Sequence, residues 1–260
     1  MNPADPRRFG GIERLYGEAA FEAYRSAHVV VVGLGGVGSW CAEALARSAV
    51  GRLTLVDGDT VSETNINRQL PALSGTVGLP KARVLAERFA AINPDAVLTP
   101  VECFIEADNT EAIDGLIAGA DLVVDAIDSL AAKAALSARC KALGVPIVVS
   151  GGAGGRIDPG SVTAADLSRT TGDALLSKLR TTLRKEYGFP AGSADPKRVK
   201  PFGIRAVFST ETPRPSLVAD KSELYRHFGT AMPVTASVGL RLAAEALALL
   251  AQNKEKQGAE

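Results

Sequence analysis

The residues with a capacity for chemistry gather around one glycine-rich turn and the charged loops after it. Gly33, Gly35, Gly36 and Gly38 make up the run Gly33-Leu34-Gly35-Gly36-Val37-Gly38, placed between an apolar β-branched stretch and a helical one. Glycines there let the backbone approach a phosphate or a ribose. The amides and positive dipole end of the helix that follows favour an anion. Asp57 closes the next apolar run, at about the 20-residue interval where a carboxylate grips a ribose hydroxyl in dinucleotide enzymes. This set points to a nucleotide and leaves open which one; glycines used only for helix–strand packing are the plainer alternative.

The loops after Asp57 are more particular. The chain continues Asp57-Gly58-Asp59, then Asn65-Ile66-Asn67-Arg68-Gln69, then Val77-Gly78-Leu79-Pro80-Lys81, and later Asp125-Ala126-Ile127-Asp128-Ser129. All of these fall at the carboxyl ends of expected strands, the ligand-binding edge of an open α/β sheet. Arg68 and Lys81 could hold a triphosphate, and Asp59 and Asp128 could share a magnesium ion. Activation of a carboxylate with ATP and Mg2+ needs those parts: neutralised phosphates, in-line attack on the α-phosphorus and a metal to steady the departing pyrophosphate. A lone loop Asn is usually a turn residue and a lone Lys at a helix start is usually solvated. Together and in this order they favour a functional reading.

The elements that must position these residues follow from the pattern. Residues 28–33, Arg52 to Val56, Val97 to Val101, Leu122 to Ile127 and Pro146 to Ser150 read as strands, and Ser39 to Ser48, Lys81 to Ile92 and Ala131 to Leu143 as helices. That alternation predicts a doubly wound, Rossmann-like α/β fold with a mostly parallel sheet. After about residue 155 the pattern weakens. Asp173 to Tyr187 reads as a basic amphipathic helix, Val207 to Ser209 as a short strand, and Met232 to Ala251 as a closing helix before a charged tail. The expected organisation is an N-terminal arm over 1–27, an adenylation domain over 28–160 and a basic C-terminal lobe for substrate binding and dimerisation over 161–260. Arg241 and Glu245, four apart at helical spacing, favour a packed helix over a membrane span.

Composition narrows the classes. The chain has 260 residues, a net charge of +0, 46% hydrophobic and 22% charged residues, as in an ordinary globular protein. Its balanced charge argues against wholesale coating of nucleic acid but permits a local patch. One such patch runs from Lys178 to Arg226, where eleven basic residues (Lys178, Arg180, Arg184, Lys185, Lys197, Arg198, Lys200, Arg205, Arg214, Lys221 and Arg226) meet five acids. Tyr187, Phe202 and Tyr225 interleave there and could stack on unpaired bases. His227 is a possible acid–base group. Cys41, Cys103 and Cys140 are too few and too scattered for a disulfide framework or a zinc site, and residues 1–10 carry no signal-peptide core. Reduced, cytoplasmic residence is the expectation.

From Val29 to about Gly155, the glycine loop, the Asp-x-Asp turn, the Asn-x-Asn-Arg-Gln loop, the Val-Gly-x-x-Lys segment and the Asp-x-x-Asp-Ser turn resemble the superfamily of ubiquitin-activating, molybdopterin-synthase-adenylating and thiamine-adenylating enzymes. Arg8-Phe9-Gly10-Gly11 with Arg14-Leu15-Tyr16-Gly17, the run Ser150 to Pro159, Val207 to Glu211 and Met232 to Ala236 are similar to the narrower tRNA threonylcarbamoyladenosine dehydratase family. The resemblance implies that Asp57 takes the ribose, Asp59 assists the metal, Asn65, Arg68 and Lys81 contact phosphates, and Asp128 binds magnesium. It implies an N-terminal arginine, Arg14 or Arg8, reaching the phosphates across a homodimer. It also implies threonylcarbamoylated tRNA, recognised at the anticodon loop, as the substrate. The chain departs from superfamily members that carry Cys-x-x-Cys zinc pairs or a catalytic cysteine, so direct capture of the acyl-adenylate is expected instead of a thioester relay. Three other readings stay open at this point: an adenylyltransferase for a ubiquitin-like sulfur carrier, an NAD-binding oxidoreductase, and a non-catalytic nucleotide-binding scaffold.

Overall fold

The computed structural model describes residues 6–217 and 228–257. Two short helices, α1 (Pro6–Tyr16) and α2 (Glu18–Ser26), lead into β1 (His28–Val32), α3 (Gly38–Arg47), β2 (Arg52–Val56), α4 (Lys81–Ile92), β3 (Val97–Val101) and α5 (Thr110–Ile117). Then come β4 (Leu122–Asp125), α6 (Leu130–Leu143), β5 (Ile147–Ser150), β6 (Val162–Asp166), α7 (Ala174–Glu186), β7 (Arg205–Ser209) and α8 (Met232–Gln257). The seven strands form one sheet in the order β3-β2-β1-β4-β5-β7-β6, parallel throughout except where β6 pairs antiparallel with β7.

The β-branched runs make sense in this setting, because a parallel sheet covered on both faces buries every strand residue. Val29 and Val31 of β1 face one core with Leu53, Leu55 and the helices α3 and α8. Val30 and Val32 face the other with Ile113, Leu136 and Leu179. Each such side chain contributes roughly 1.5–3 kcal/mol by leaving water. The long apolar helix α8 buries Val234, Val238, Leu242 and Leu250 against the first core. Its length and composition would also suffice to cross a membrane, but Glu245 is taken by Arg205 of β7 and by Arg241.

The expected α/β fold is present, with differences in detail. Within the expected arm, residues 6–26 form a pair of helices, and Arg8 on α1 donates to the carbonyls of Ala91 and Ile92 at the end of α4. The segment after 160 does not build its own sheet: β6 and β7 extend the common one. Strand β4 stops at Asp125, two residues before the expected end, because the Asp125 carboxylate accepts the Ile127 amide and turns the chain.

Candidate active site

The strand order reverses between β1 and β4, so a crevice opens beyond their carboxyl ends, where α/β sheets bind ligands. The glycine loop and the Ala126–Ser129 turn form its two lips. Gly33 has φ +85°, and a Cβ there would stand 2.8 Å from the Ala126 carbonyl oxygen; a Cβ on Gly38 would lie 1.8 Å from the Gly33 carbonyl oxygen. Only glycine fits either position, and helix α3 therefore starts directly behind the loop.

The crevice is a cleft of about 530 Å³. Gly33, Gly35, Gly36, Asp57, Asp59, Arg68, Lys81 and Asp128 all line it. Gly38 lies buried behind the loop. The excursion from 59 to 81 is closed at its base, with the Val61 amide donating to the Leu79 carbonyl and the Lys81 amide to the Asp59 carbonyl. That closure sets Lys81 Nζ 2.8 Å from Asp59 Oδ2, with the lysine side chain 5% exposed and the aspartate 55%. Arg68 is braced by its own turn through the Thr64 carbonyl and Asn67 Oδ1, while Trp40 Nε1 of α3 donates to the Arg68 carbonyl. Asp57 accepts the Leu34 amide at 2.7 Å and the Asp59 amide at 2.8 Å, so the carboxylate at the ribose position also ties the glycine loop to β2.

Two residues singled out from sequence lie elsewhere. Asn65 is buried, and its carboxamide oxygen accepts the Ser62 amide, closing a one-turn 3₁₀ segment; it forms the loop that carries Arg68 and does not line the cleft. Arg14 is exposed on α1 and does not line the cleft of its own chain. Arg8 is engaged at the end of α4.

Magnesium keeps several waters and typically takes one or two carboxylates together with substrate phosphates. Asp59 and Asp128, two hard oxygen donors on the same cleft, fit that requirement. Among the described residues no cluster of three His, Cys, Asp or Glu side chains could hold a metal by itself.

Sequence reasoning missed several parts of the site. Asp125 and Lys133 form a fully buried ion pair at the root of the Asp128 turn, 2.8 Å apart. Burial pushes the Asp125 carboxyl up, against the pull of Lys133 and the Ile127 amide. Phe104 lies over Gly58 at the cleft mouth, 66% exposed. Gly151 to Gly154 form a further stretch of the cleft lining, backed by Arg156 and Asp173. The glycines there were visible, but their buried anchors were not.

Cys41 and Cys140 are buried, and burial raises both thiols, that of Cys140 to about 12. Cys103 is exposed at the cleft mouth, its thiol raised by burial and by Glu106.

The basic segment needs one correction. Phe202 is 1% exposed, packed on Phe189 at 4.9 Å with the Arg184 guanidinium over its ring, so it cannot stack on a base. Arg205 is held by Glu245, and Arg180 donates to Thr170. Lys178, Lys185, Tyr187, Lys197, Arg198 and Lys200 remain exposed. Lys221, Tyr225, Arg226 and His227 lie outside the described residues.

The model of the ThiF family matches residues 11–260. The chain is 50% identical to the tRNA threonylcarbamoyladenosine dehydratase of Haemophilus influenzae, over 79% of this chain and 76% of that one. It is 42% identical to the dehydratase of Escherichia coli, over 97% and 96% of the two chains. The crystal structure of the E. coli dehydratase in complex with ATP superimposes with a TM-score of 0.86 at 43% identity, covering 97% of each chain.

Proposed function

The chain belongs to the ThiF family, and from that premise we propose that it is an ATP-dependent tRNA threonylcarbamoyladenosine dehydratase. The observation that carries the reading is the convergence of Arg68, Lys81, Asp59 and Asp128 on one cleft around the glycine loop. Such a cleft suits a triphosphate and the transfer of its α-phosphoryl group. The near full-length similarity to dehydratases supports the tRNA nucleoside as the acceptor.

The steps balance as follows. An oxygen of the threonyl carboxylate attacks the α-phosphorus, the bond to the β-phosphate breaks and pyrophosphate leaves. The carbamoyl group then attacks the acyl carbon, the bond to AMP breaks and a proton is lost. The ring closes with net removal of one water, whose oxygen departs in AMP. The glycine loop and the α3 amides receive phosphate, Asp57 receives the ribose, and Arg68 and Lys81 neutralise the charge that moves onto pyrophosphate. Asp59 and Asp128 would hold the magnesium ion, which supplies Lewis-acid stabilisation of the phosphates. Phosphates in the cleft would compete with Asp59 for Lys81, leaving the Asp59 carboxylate available as a metal ligand.

The protein is read as a cytoplasmic homodimer in which Arg14 serves the partner's cleft. Exposed Ile66, Leu73, Val77 and Leu79 around the Arg68 excursion support an apolar contact there. Lys178, Lys185, Lys197, Arg198 and Lys200 supply the tRNA surface, with Tyr187 the exposed aromatic among them. Cys41 and Cys140 are buried and take no part in a thioester relay; Cys103, exposed at the cleft mouth, is assigned no role in this reading.

The test is mass spectrometry of nucleosides from threonylcarbamoylated tRNA incubated with the protein, ATP and magnesium. Loss of one water from the modified adenosine, only when ATP is present, is the expected result. An unchanged nucleoside, in a preparation that binds ATP, would redirect the reading to the carboxyl terminus of a small carrier protein.

A further inference from the structure

The wall of the cleft from Gly151 to Gly154 is anchored by two buried charges to which the adenylation chemistry assigns no part. Arg156 and Asp173 are 3% and 1% exposed, with Arg156 Nη2 3.2 Å from Asp173 Oδ2. The same Asp173 oxygen accepts the Gly152 amide at 3.0 Å, and Arg156 Nη1 donates to the Gly152 carbonyl. Both backbone polar groups of Gly152 are therefore taken by the pair. A third bond, from Arg156 Nε to the Glu211 carbonyl, holds the guanidinium from behind. The packing leaves no slack: a Cβ on Gly151 would stand 2.7 Å from Asp173 Oδ2.

The other Asp173 oxygen accepts the Leu176 amide at 2.9 Å and caps helix α7. Helix α7 carries Lys178 and Lys185 on its exposed side and places Leu175 on the cleft lining. One carboxylate thus joins the basic helix to the cleft wall. Ala153 and Gly154 continue that wall, and among the described residues their amides have no hydrogen-bond partner. A buried ion pair by itself is weak evidence for stability, since apolar residues of the same volume often do as well. Its place behind a ligand-facing backbone points to orientation instead.

We propose that Arg156 and Asp173 are positioning residues for the second substrate: they fix the Gly152 peptide so that the Ala153 and Gly154 amides face the cleft as donors to the threonylcarbamoyl carboxylate. The inference rests on the dehydratase reading above. The ligand class is a carboxylate, and the same donors would meet the charge that grows on the acyl oxygen as the ring closes. Because Asp173 also caps α7, tRNA bound along that helix and the acyl group in the cleft are held to one frame.

The experiment compares wild-type enzyme with Asp173→Ser, Arg156→Met and Arg156→Lys. Serine keeps the α7 cap but cannot also reach Gly152 and Arg156. Steady-state dehydration of threonylcarbamoylated tRNA gives kcat and the KM for tRNA, calorimetry gives ATP affinity, and thermal unfolding gives stability. The expected result is a fall in kcat/KM for tRNA of about tenfold to hundredfold, the range for a displaced reacting group, with ATP affinity within about twofold of wild type. Arg156→Lys, which keeps the charge paired, recovers part of the loss. If Asp173→Ser fails to fold, the two Arg156 variants read the same effect. Normal kcat and KM with a lowered melting temperature would make the pair merely structural and overturn the proposal. An equal fall in ATP affinity would place the wall in the nucleotide site and overturn it too. Failure of wild-type enzyme to dehydrate the nucleoside would overturn the dehydratase reading and this inference with it.

Discussion

Lys133 Nζ lies 2.8 Å from Asp125 Oδ1 and 3.3 Å from the Asp125 carbonyl oxygen, with neither side chain exposed to solvent. The pair stands at the carboxyl end of β4, where the chain turns into the loop that carries Asp128. Lys133→Met should leave a buried carboxylate without its cation, at a cost of about 3–5 kcal/mol. In that variant burial holds the folded-state carboxyl above its unfolded value. Stability should therefore rise as pH falls from the folded value towards the unfolded one. Urea unfolding at several pH values checks both statements. The double variant Asp125→Leu/Lys133→Met should regain much of the loss.

Asp128 is exposed, so Asp128→Ala should leave the stability nearly unchanged, within about 0.5 kcal/mol. Lys81→Met removes from the same cleft the cation proposed to meet the phosphates. Each should lower tRNA-dependent ATP–pyrophosphate exchange about 10²- to 10³-fold, as loss of one preorganised charge does elsewhere. Normal exchange by Asp128→Ala would remove that residue from the site.

Glu43 on α3 accepts from Arg47 and from Arg88 of α4. Burial pushes its carboxyl up, but the hydrogen bonds from Arg88 and Arg47 outweigh that and hold it below the usual range. Its contribution is complete above the unfolded carboxylate range and disappears as pH falls through the depressed folded value. Glu43→Gln should therefore be less stable than wild type at neutral pH, with the gap closing towards strongly acid pH. A gap independent of pH in unfolding curves would rule this out.

Lys197, Arg198 and Lys200 are exposed beside the α7 excursion. Reversing all three charges should weaken tRNA binding more than about tenfold at low salt. It should also flatten the salt dependence by roughly 0.7–0.9 in log–log slope per lost phosphate contact. Filter binding across a salt series measures this, and unchanged affinity would move the tRNA surface elsewhere.

The nucleotide half of the protein is readable because its signals are local. A β-branched run ending in glycine, a helix start and an acid after the next strand all lie within a few dozen residues, and Gly33, Asp57 and Lys81 fall where that pattern puts them. The remainder depends on contacts far apart along the chain. Strand β6, Val-Thr-Ala-Ala-Asp, carries a weak apolar signal and exists because β7 pairs with it some forty residues later. The eight-residue α5 gives little more than two turns of periodicity to read. Asp125–Lys133 and Arg156–Asp173 join residues at spacings that no single helix or strand brings together, so only the folded chain shows them. Phe202 sits in a segment rich in Gly, Pro and charge, where nothing local signals that Phe189 and Arg184 will cover it.

The antiparallel pairing of β6 with β7 has a consequence for how this enzyme can change. Asp166 stands opposite Arg205, and the Leu167 amide donates to the Ile204 carbonyl at 2.8 Å. The whole excursion between them, α7 included, therefore leaves and re-enters the sheet at a single point. Chain of another length or charge can be exchanged on its exposed side, provided that residues such as Leu176, Leu179 and Leu183 still cover the sheet. If the exposed side of α7 binds the acceptor, as proposed, its recognition can be altered while the nucleotide cleft stays as it is. The inherited requirements are an acid at the start of the incoming helix, which holds the Gly152 peptide, and an apolar face to fill the core beneath it.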